Sequence, residues 1–433
     1  MKQVPGSLSI LFLLLAPIPP ACSQIGALPV APAQIGDYSS CPTFGSGTPS
    51  AYESRCGAMS RKGDLLDAGR HFFGSVGTMG GHDDAFNSRK GLPASFDGGV
   101  LYGGLITVKP KGFDLLENTV SLVDYHTSQR TLQYMNSTTV SLTRLPGTQS
   151  VLTFDLNNLY GNDALRILQV GGSTAGAEAA SYAIHPGKVL NNQATLRYSR
   201  QSSETRWWSV SMRNNFRDFI DDRSRVNTVH GRAEVQYQPS ERAGIGIFQE
   251  TSVQTGQVNC GSLSVGVVYE RRIFRSMAAE GSAGPAFGTK GCTSRVSANL
   301  YGGFSAQPAR SSTLWVSGFR KVNDSEFTAI SYESNAQGGI MQRFGQEAWF
   351  KAHSGWIGGT VPSHTKPFQG LYFTSAFGHT LPGGFMASIS VQHFRWDGVA
   401  NIAPTRTIIS GSLYWSPSRT EPDQTHGPGS LRQ

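Results

Sequence analysis

The sequence has no apolar run long enough to cross a membrane as a helix, and the short run it does have lies within residues 1–23. A spanning helix needs about 20 consecutive apolar residues. The mean hydropathy of -0.25 is that of a soluble protein. These features argue against a helical membrane protein. They do not exclude a membrane-spanning β-barrel, because barrel strands place apolar residues at every second position and their hydropathy averages out.

Charged residues are also scarce, at 15% of the chain, whereas glycine is abundant, with 51 residues. This composition favours an exported β protein over a helical one. Lysine and arginine total 37 against 29 acidic residues, a formal net charge of +8. The excess is spread along the predicted strands rather than gathered in one run, so we predict no nucleic-acid partner. A water-filled interior that favours anions explains the charge better.

Motifs for enzymatic or metal chemistry are missing as well. No His-Glu-x-x-His or Gly-x-Ser-x-Gly pattern occurs, and the cysteines form no Cys-x-x-Cys pair. His82, Asp83 and Asp84 are consecutive in a glycine-flanked stretch, which is a poor arrangement for a metal site. We therefore predict a protein without catalytic residues, metal or cofactor.

Residues 1–23 have the pattern of a secretory signal peptide. Lys2 supplies a basic start, residues 8–16 supply a short apolar core, and small residues end the segment. Cleavage is expected after Ser23. The alternative is a lipoprotein acylated at Cys22, but two prolines stand just before it where a lipobox has an aliphatic and a small residue.

Removal of this leader leaves four cysteines: Cys41, Cys56, Cys260 and Cys292. Cysteines in exported proteins are usually held as disulfides. The simplest pairing joins Cys41 to Cys56 and Cys260 to Cys292. Sequence spacing alone leaves the connectivity open.

The clearest structural signal lies in residues 193–252, where four extended runs are separated by polar, charged or proline-bearing breaks. In the first run, Leu196 and Tyr198 fall on one face and Arg197 on the other. A period of two is the period of a β-strand. The run over residues 205–217 exceeds the roughly five or six residues of a usual strand and suits the roughly nine to eleven of a membrane-spanning one. We therefore predict an antiparallel meander of membrane-spanning strands.

The same alternation continues to the end of the chain. It predicts an all-β fold, a transmembrane antiparallel up-and-down β-barrel over residues 95–416, with residues 24–94 as an irregular periplasmic segment or plug and residues 417–433 as a tail. Short turns alternate with longer loops, as in outer-membrane barrels, and this parity gives about 16 strands, with 14 to 18 open. Residues 335–343 fit least well, because they are too long for a periplasmic turn.

By this pattern, rather than by a family motif, the chain resembles Gram-negative outer-membrane β-barrel proteins of porin-like size. The final run alternates Ile409, Gly411, Leu413 and Trp415. Such barrels commonly end their last strand on an aromatic, which is part of the signal read by the insertion machinery. The resemblance implies an outer-membrane location in a Gram-negative-type bacterium, with membrane lipid and the barrel-insertion machinery as partners.

The expected function is a passive channel for small hydrophilic or anionic solutes, without enzymatic activity. Fixed charge on the wall of a pore selects ions by sign. The candidate pore-lining residues are therefore Arg197, Arg213, Arg217, Arg232 and Glu234. The alternative for the arginines is that they pair with Glu234, Glu250 and other interior neighbours and fill a narrow barrel.

Two other functions stay open from the sequence. The first is a secreted, soluble all-β protein, a sandwich or propeller, that binds a carbohydrate or a surface partner. The second is a lipid hydrolase built into the barrel wall, because a Ser-His triad is a spatial arrangement that sequence spacing does not reveal. The oligomeric state is open as well.

Overall fold

A computed structural model describes residues 69–415, apart from residues 87–91, 110, 128–129, 148–149, 163–186, 204, 222, 241–242, 257–258, 275–276, 290–291, 293–294, 310, 322–331, 346, 361–367 and 398–402. The predicted signal peptide, Cys41, Cys56 and the C-terminal tail lie outside the described residues. No helix in the described part of the chain is long and apolar enough to span a membrane.

The described residues form an 18-stranded sheet. The shortest strand has 10 residues and the longest has 18, which is enough for a tilted strand to span a bilayer. The strands are β1 Gly69–Asp83, β2 Ala94–Lys109, β3 Gly112–His126, β4 Arg130–Gly147, β5 Ser150–Asn162, β6 Lys188–Ser203, β7 Arg206–Phe219, β8 Ser224–Ser240, β9 Ala243–Gly256, β10 Cys260–Phe274, β11 Met277–Gly288, β12 Val296–Ala309, β13 Ser312–Lys321, β14 Tyr332–Phe344, β15 Ala348–Thr360, β16 Phe368–Leu381, β17 Phe385–Asp397 and β18 Thr405–Trp415.

Each strand pairs antiparallel with its neighbours in sequence, and β1 also pairs with β18, so the sheet closes into a barrel. The closing ladder runs from Val76 opposite Trp415 to Asp83 opposite Ile408. Closure removes every free edge, which lipid cannot solvate. The predicted up-and-down barrel is confirmed, with a strand number at the top of the predicted range. A sandwich or propeller is excluded, because each needs more than one sheet.

The two ends of the barrel differ in the length of their connections. The turns after even-numbered strands are tight, as at residues 204–205, and the connections after odd-numbered strands are longer on the whole, up to residues 163–187. This agrees with the predicted alternation, in which the short turns are periplasmic. The turn at Pro382–Gly384 requires glycine, because φ is 82° at Gly383 and 81° at Gly384.

Two predicted boundaries are wrong. β1 lies inside residues 24–94, which the sequence predicts to be irregular, so the barrel begins at Gly69 rather than at residue 95. β14 covers residues 335–343, which the prediction treats as a connection. β1 has five glycines, in GRHFFGSVGTMGGHD, and β14 has two adjacent ones among small polar residues, in YESNAQGGIMQRF. Glycine has no side chain, so the alternation of apolar and polar residues is hard to recognise there.

Burial separates the two faces of the barrel wall. On β9, Ile245 and Ile247 are 55% and 65% exposed, while Glu250 and Ser252 are 5% and 2% exposed. In a closed sheet one layer thick, the buried face is the interior. Apolar side chains therefore face outward and polar ones inward, as expected for a barrel surrounded by lipid.

Outward-facing aromatic pairs lie near both ends of the strands. Tyr198 and Trp208 stand at the turn end, with ring centroids 5.0 Å apart, and Tyr134 and Tyr160 stand nearer the loop end, 5.7 Å apart. Aromatic side chains at these two levels are typical of the girdles that meet the two interfaces of a membrane.

The seam between β1 and β18 contains a buried ion pair. Arg406 donates from Nε to Asp83 Oδ1 at 3.1 Å and from Nη2 to Asp83 Oδ2 at 2.6 Å. Asp83 is fully buried and Arg406 is 2% exposed. Asp84 accepts from the backbone N–H of Thr407 at 2.7 Å. The two aspartates thus join the first and last strands beyond their backbone ladder.

Arg406→Gln should weaken the barrel, because it leaves the buried carboxylate of Asp83 without its counter-charge. Removing one member of a buried pair costs about 3–5 kcal/mol. The measurement is the temperature at which the folded band on an unheated gel converts to the unfolded band.

The matched control for this prediction is Arg225→Gln. Arg225 also pairs with an aspartate, Asp218, at 2.9 Å, but its side chain is 72% exposed. Loss of such a surface pair costs at most about 1 kcal/mol. Equal shifts in the two variants would contradict the importance of the seam.

Candidate functional site

The interior wall of β6, β7 and β8 carries every residue predicted to line a pore, namely Arg197, Arg213, Arg217, Arg232 and Glu234. The register places Arg197 and Arg232 on either side of Ser211, and Arg213 opposite His230. These residues therefore lie together on neighbouring strands and share the face that alternation predicts. Their role in a conducting path stays a prediction.

Arg232 pairs with two glutamates. Its Nε and Nη2 donate to Glu234 Oε2 at 3.0 and 2.7 Å, and its Nη1 donates to Glu250 Oε2 at 3.0 Å. The guanidinium also lies 4.4 Å from the centre of the Phe248 ring. For this arginine the structure bears out the alternative, in which the side chain pairs with acidic neighbours inside the barrel.

The hydrogen-bonded network continues across β8–β12. Asn299 Nδ2 donates to Glu250 Oε1 at 3.1 Å, and His230 Nε2 lies 3.1 Å from the same oxygen. Gln236 Nε2 donates to Glu234 Oε1 at 2.7 Å and to Glu270 Oε1 at 2.8 Å. Charge-assisted hydrogen bonds of this length hold carboxylates in fixed positions.

The glutamates of this network form an acidic wall on successive strands. Tyr301 extends it by donating from its hydroxyl to Glu280 Oε1 at 2.5 Å. The wall consists of Glu234, Glu250, Glu270 and Glu280 on β8–β11. The arginines of β6 and β7 lie directly beside this wall, so an acidic and a basic stretch of the interior adjoin each other.

The opposite part of the interior has a different character. Among the inward-facing side chains that the structure describes on β12–β18, none is a carboxylate. Lys351 on β15 faces inward there and is 6% exposed. Next to it, His353 Nδ1 lies 2.6 Å from the hydroxyl of Thr374, and the His353 ring lies against Tyr372, with centroids 5.5 Å apart.

Sequence analysis missed Lys351 and His353 as interior residues. The signal was present, because AWFKAHSGW alternates Trp349, Lys351 and His353 with smaller or apolar residues. The face of this strand was harder to assign because its outward positions are less uniformly apolar than those of β8–β10. With Lys351 added, cationic side chains line two separate parts of the wall.

An apolar cluster fills the interior near the loop end. Phe96 and Tyr125 have ring centroids 5.2 Å apart, and Phe394 and Trp396 stack at 6.3 Å. Ile408 belongs to the same buried cluster and is 1% exposed. In this sector the inner wall is packed with apolar side chains rather than lined with charge.

The outer wall holds serine, histidine and aspartate near the loop end, but they do not form a triad. His82 Nδ1 lies 3.4 Å from the hydroxyl of Ser95, whereas Asp97 pairs with a different histidine, His126, at 2.7 Å. A triad needs one histidine that contacts both the nucleophile and the carboxylate. The lipid-hydrolase alternative gains no support from this cluster.

The described residues contain no group of three or more histidine, cysteine or acidic side chains that could hold a metal ion. His82, Asp83 and Asp84 illustrate why: Asp83 points inward to Arg406, whereas His82 points outward. Cys260 and Cys292 are joined in a disulfide with Cα atoms 4.8 Å apart. The bond links the start of β10 to the connection between β11 and β12.

No family model matches the chain, and no curated protein matches it. Solved structures with a similar course of the chain include OccK2 (OpdF) of Pseudomonas aeruginosa in complex with glucuronate, at 11% identity and a TM-score of 0.43, over 80% of this chain and 98% of that one. Another is OccAB4 of Acinetobacter baumannii, at 8% identity and a TM-score of 0.43, over 81% and 98%. Similarity at this level carries no inference about a solute.

Arg232→Gln should destabilise the barrel, because Glu234 and Glu250 lose the cation that offsets their burial. The double variant with Glu250→Gln should lose less stability than the two single variants predict by addition, with a coupling of about 0.5–3 kcal/mol. The temperature of gel-band conversion measures each variant. Simple additivity would mean that the pair does not act as a unit.

Proposed function

We propose that this chain is a passive channel for small hydrophilic or anionic solutes in the outer membrane of a Gram-negative-type bacterium. The observation that carries the proposal is the division of a closed barrel into an apolar outer face and a polar, charged inner one. A sheet with that division suits a lipid exterior and an aqueous interior. The proposal includes no enzymatic activity.

The preference for anions rests on the interior cations. Arg197, Arg213 and Arg217 lie on adjoining strands, and Lys351 lies on a wall without described carboxylates. Fixed positive charge in a water-filled constriction lowers the energy of an anion and raises that of a cation. The acidic wall beside the arginines limits this preference, so neutral hydrophilic solutes are included.

Export by a cleaved signal peptide, residues 1–23, belongs to the same proposal. Outer-membrane lipid would surround the barrel, and the barrel-insertion machinery would act on the nascent chain. The final strand, Thr405–Trp415, ends on an outward-facing aromatic and pairs with β1 to close the barrel. A strand with this ending supports recognition by that machinery.

The location is tested by fractionating cells that express the full chain. We expect the protein in the outer-membrane fraction, with a band that migrates faster before boiling than after it, because a closed barrel resists detergent. Recovery of soluble protein without detergent would overturn the proposal.

Ion selectivity tests the role of the arginines. Arg213→Glu combined with Arg217→Glu should shift the reversal potential of single channels toward cation selectivity, severalfold in the permeability ratio, because the local fixed charge changes sign. The matched control is Arg200→Glu, since Arg200 lies on β6 but faces outward. Unchanged selectivity in the double variant would mean that these arginines do not face the conducting path.

A further inference from the structure

The outer face of β3–β7 interrupts the apolar surface with a row of amide and hydroxyl side chains. The ladders place Asn118 opposite Thr138, Thr138 opposite Asn158, and Asn158 opposite Asn192. Two further asparagines lie next to this line. We call the set the amide row: Asn118, Asn136, Thr138, Asn158, Asn192 and Asn214.

The members of the amide row point away from the interior. Leu116, two positions from Asn118, is 46% exposed, and Met212, two positions from Asn214, is 54% exposed. Residues of the opposite parity are buried, including Leu159 at 4%. Because side chains two apart on a strand share a face, the row belongs to the outer surface.

The row lies between the two aromatic levels. Tyr134 and Tyr160 are two residues from Asn136 and Asn158 on the loop side. On the turn side, Tyr198 and Trp208 are six residues from Asn192 and Asn214, a height of about 15 Å at ~3.3 Å per residue and a tilt of ~40°. In a band of apolar surface about 25 Å tall, the row is level with lipid tails.

Lipid tails cannot hydrogen-bond these side chains. Asn118 Nδ2 donates to Asn136 Oδ1 at 3.0 Å and to Thr138 Oγ1 at 2.7 Å. The side chains of Asn158, Asn192 and Asn214 make no hydrogen bond with another residue in the described ranges. An amide in an apolar medium without a partner is unfavourable by roughly 2–7 kcal/mol. Contact with another polar surface is therefore favoured over contact with lipid.

Small residues continue the same row beyond Asn118. Gly103 on β2 lies opposite Asn118, and Gly74 on β1 lies opposite Gly103. Small residues let the backbones of two membrane segments approach closely. By contrast, β10 presents Val265 and Val267, 42% and 55% exposed, to the outside. The outer face of β1–β6 thus combines two small residues with hydrogen-bonding side chains.

We propose that the outer face of β1–β7, centred on the amide row, is the contact surface between copies of this chain in the membrane. An amide both donates and accepts, so a row of amides is complementary to a second copy of itself, as contact between identical subunits requires. The inference rests on the outer-membrane location proposed above, but not on what the channel conducts.

The test is the mass of the full chain purified from membranes in mild detergent, measured by light scattering. We expect at least two chains per particle for the wild type and one for the triple variant Asn118→Leu, Thr138→Val, Asn158→Leu. The matched control is Gln249→Leu with Thr251→Val, since both residues are exposed on the outer face of β9. The control should keep the wild-type mass.

Photo-crosslinking keeps the proposal testable if the triple variant does not fold. A photoreactive amino acid at position 138 should yield a covalent dimer in membranes, and one at position 251 should not. A single chain per wild-type particle, or equal crosslinking at both positions, would overturn the proposal. A heat-modifiable barrel with one chain per particle would contradict this inference but not the proposed function. Recovery of a soluble protein would contradict both.

Discussion

The structure depends on the pairing of every strand with two neighbours. A polar backbone group left unpaired in lipid costs several kilocalories per mole, so the sheet is viable there only when β1 reaches β18. That closure rests on the ladder from Val76 to Asp83, and the ion pair of Asp83 with Arg406 adds a side-chain contact to it. Once the sheet is closed, each side chain has only two environments available, lipid outside or the interior.

The interior holds charged side chains that are buried from solvent. They are stabilised by ion pairs and hydrogen bonds with residues on neighbouring strands. Arg232 contacts Glu234 on its own strand and Glu250 on the next. Gln236 extends the network to Glu270. Arg232 therefore lies at the boundary between the basic strands β6–β7 and the acidic wall. Lys351 lies across the barrel, in a part of the wall without described carboxylates, so the charged parts of the interior differ in sign from one sector to another.

The parts of the fold that sequence predicts best are those where large side chains alternate with charged ones. β8 and β10 are of this kind, with Val235 outward beside Glu234, and Tyr269 outward beside Glu270. β1 and β14 escape prediction because glycine and small polar residues carry no signal for either face. The inward face of the arginines on β6–β8 was predictable in the same way, because large apolar residues alternate with them on the outward face. The sequence suggests Glu250 as a partner of Arg232, but the register that brings the two together, and that places Lys351 across the barrel, is not contained in local alternation.

The inner and outer surfaces pose the same physical problem with different solutions. Inside, a polar side chain finds a partner on a neighbouring strand of the same chain, as Glu250 does with Arg232 and Asn299. Outside, Asn118 donates to Asn136 and Thr138 in this way. The other three asparagines of the amide row have no such partner within the described chain. A polar partner stabilises amides that lie level with lipid tails. Since no strand of the described barrel supplies one, the amides of another copy, which donate and accept in the same way, are the partners proposed for them.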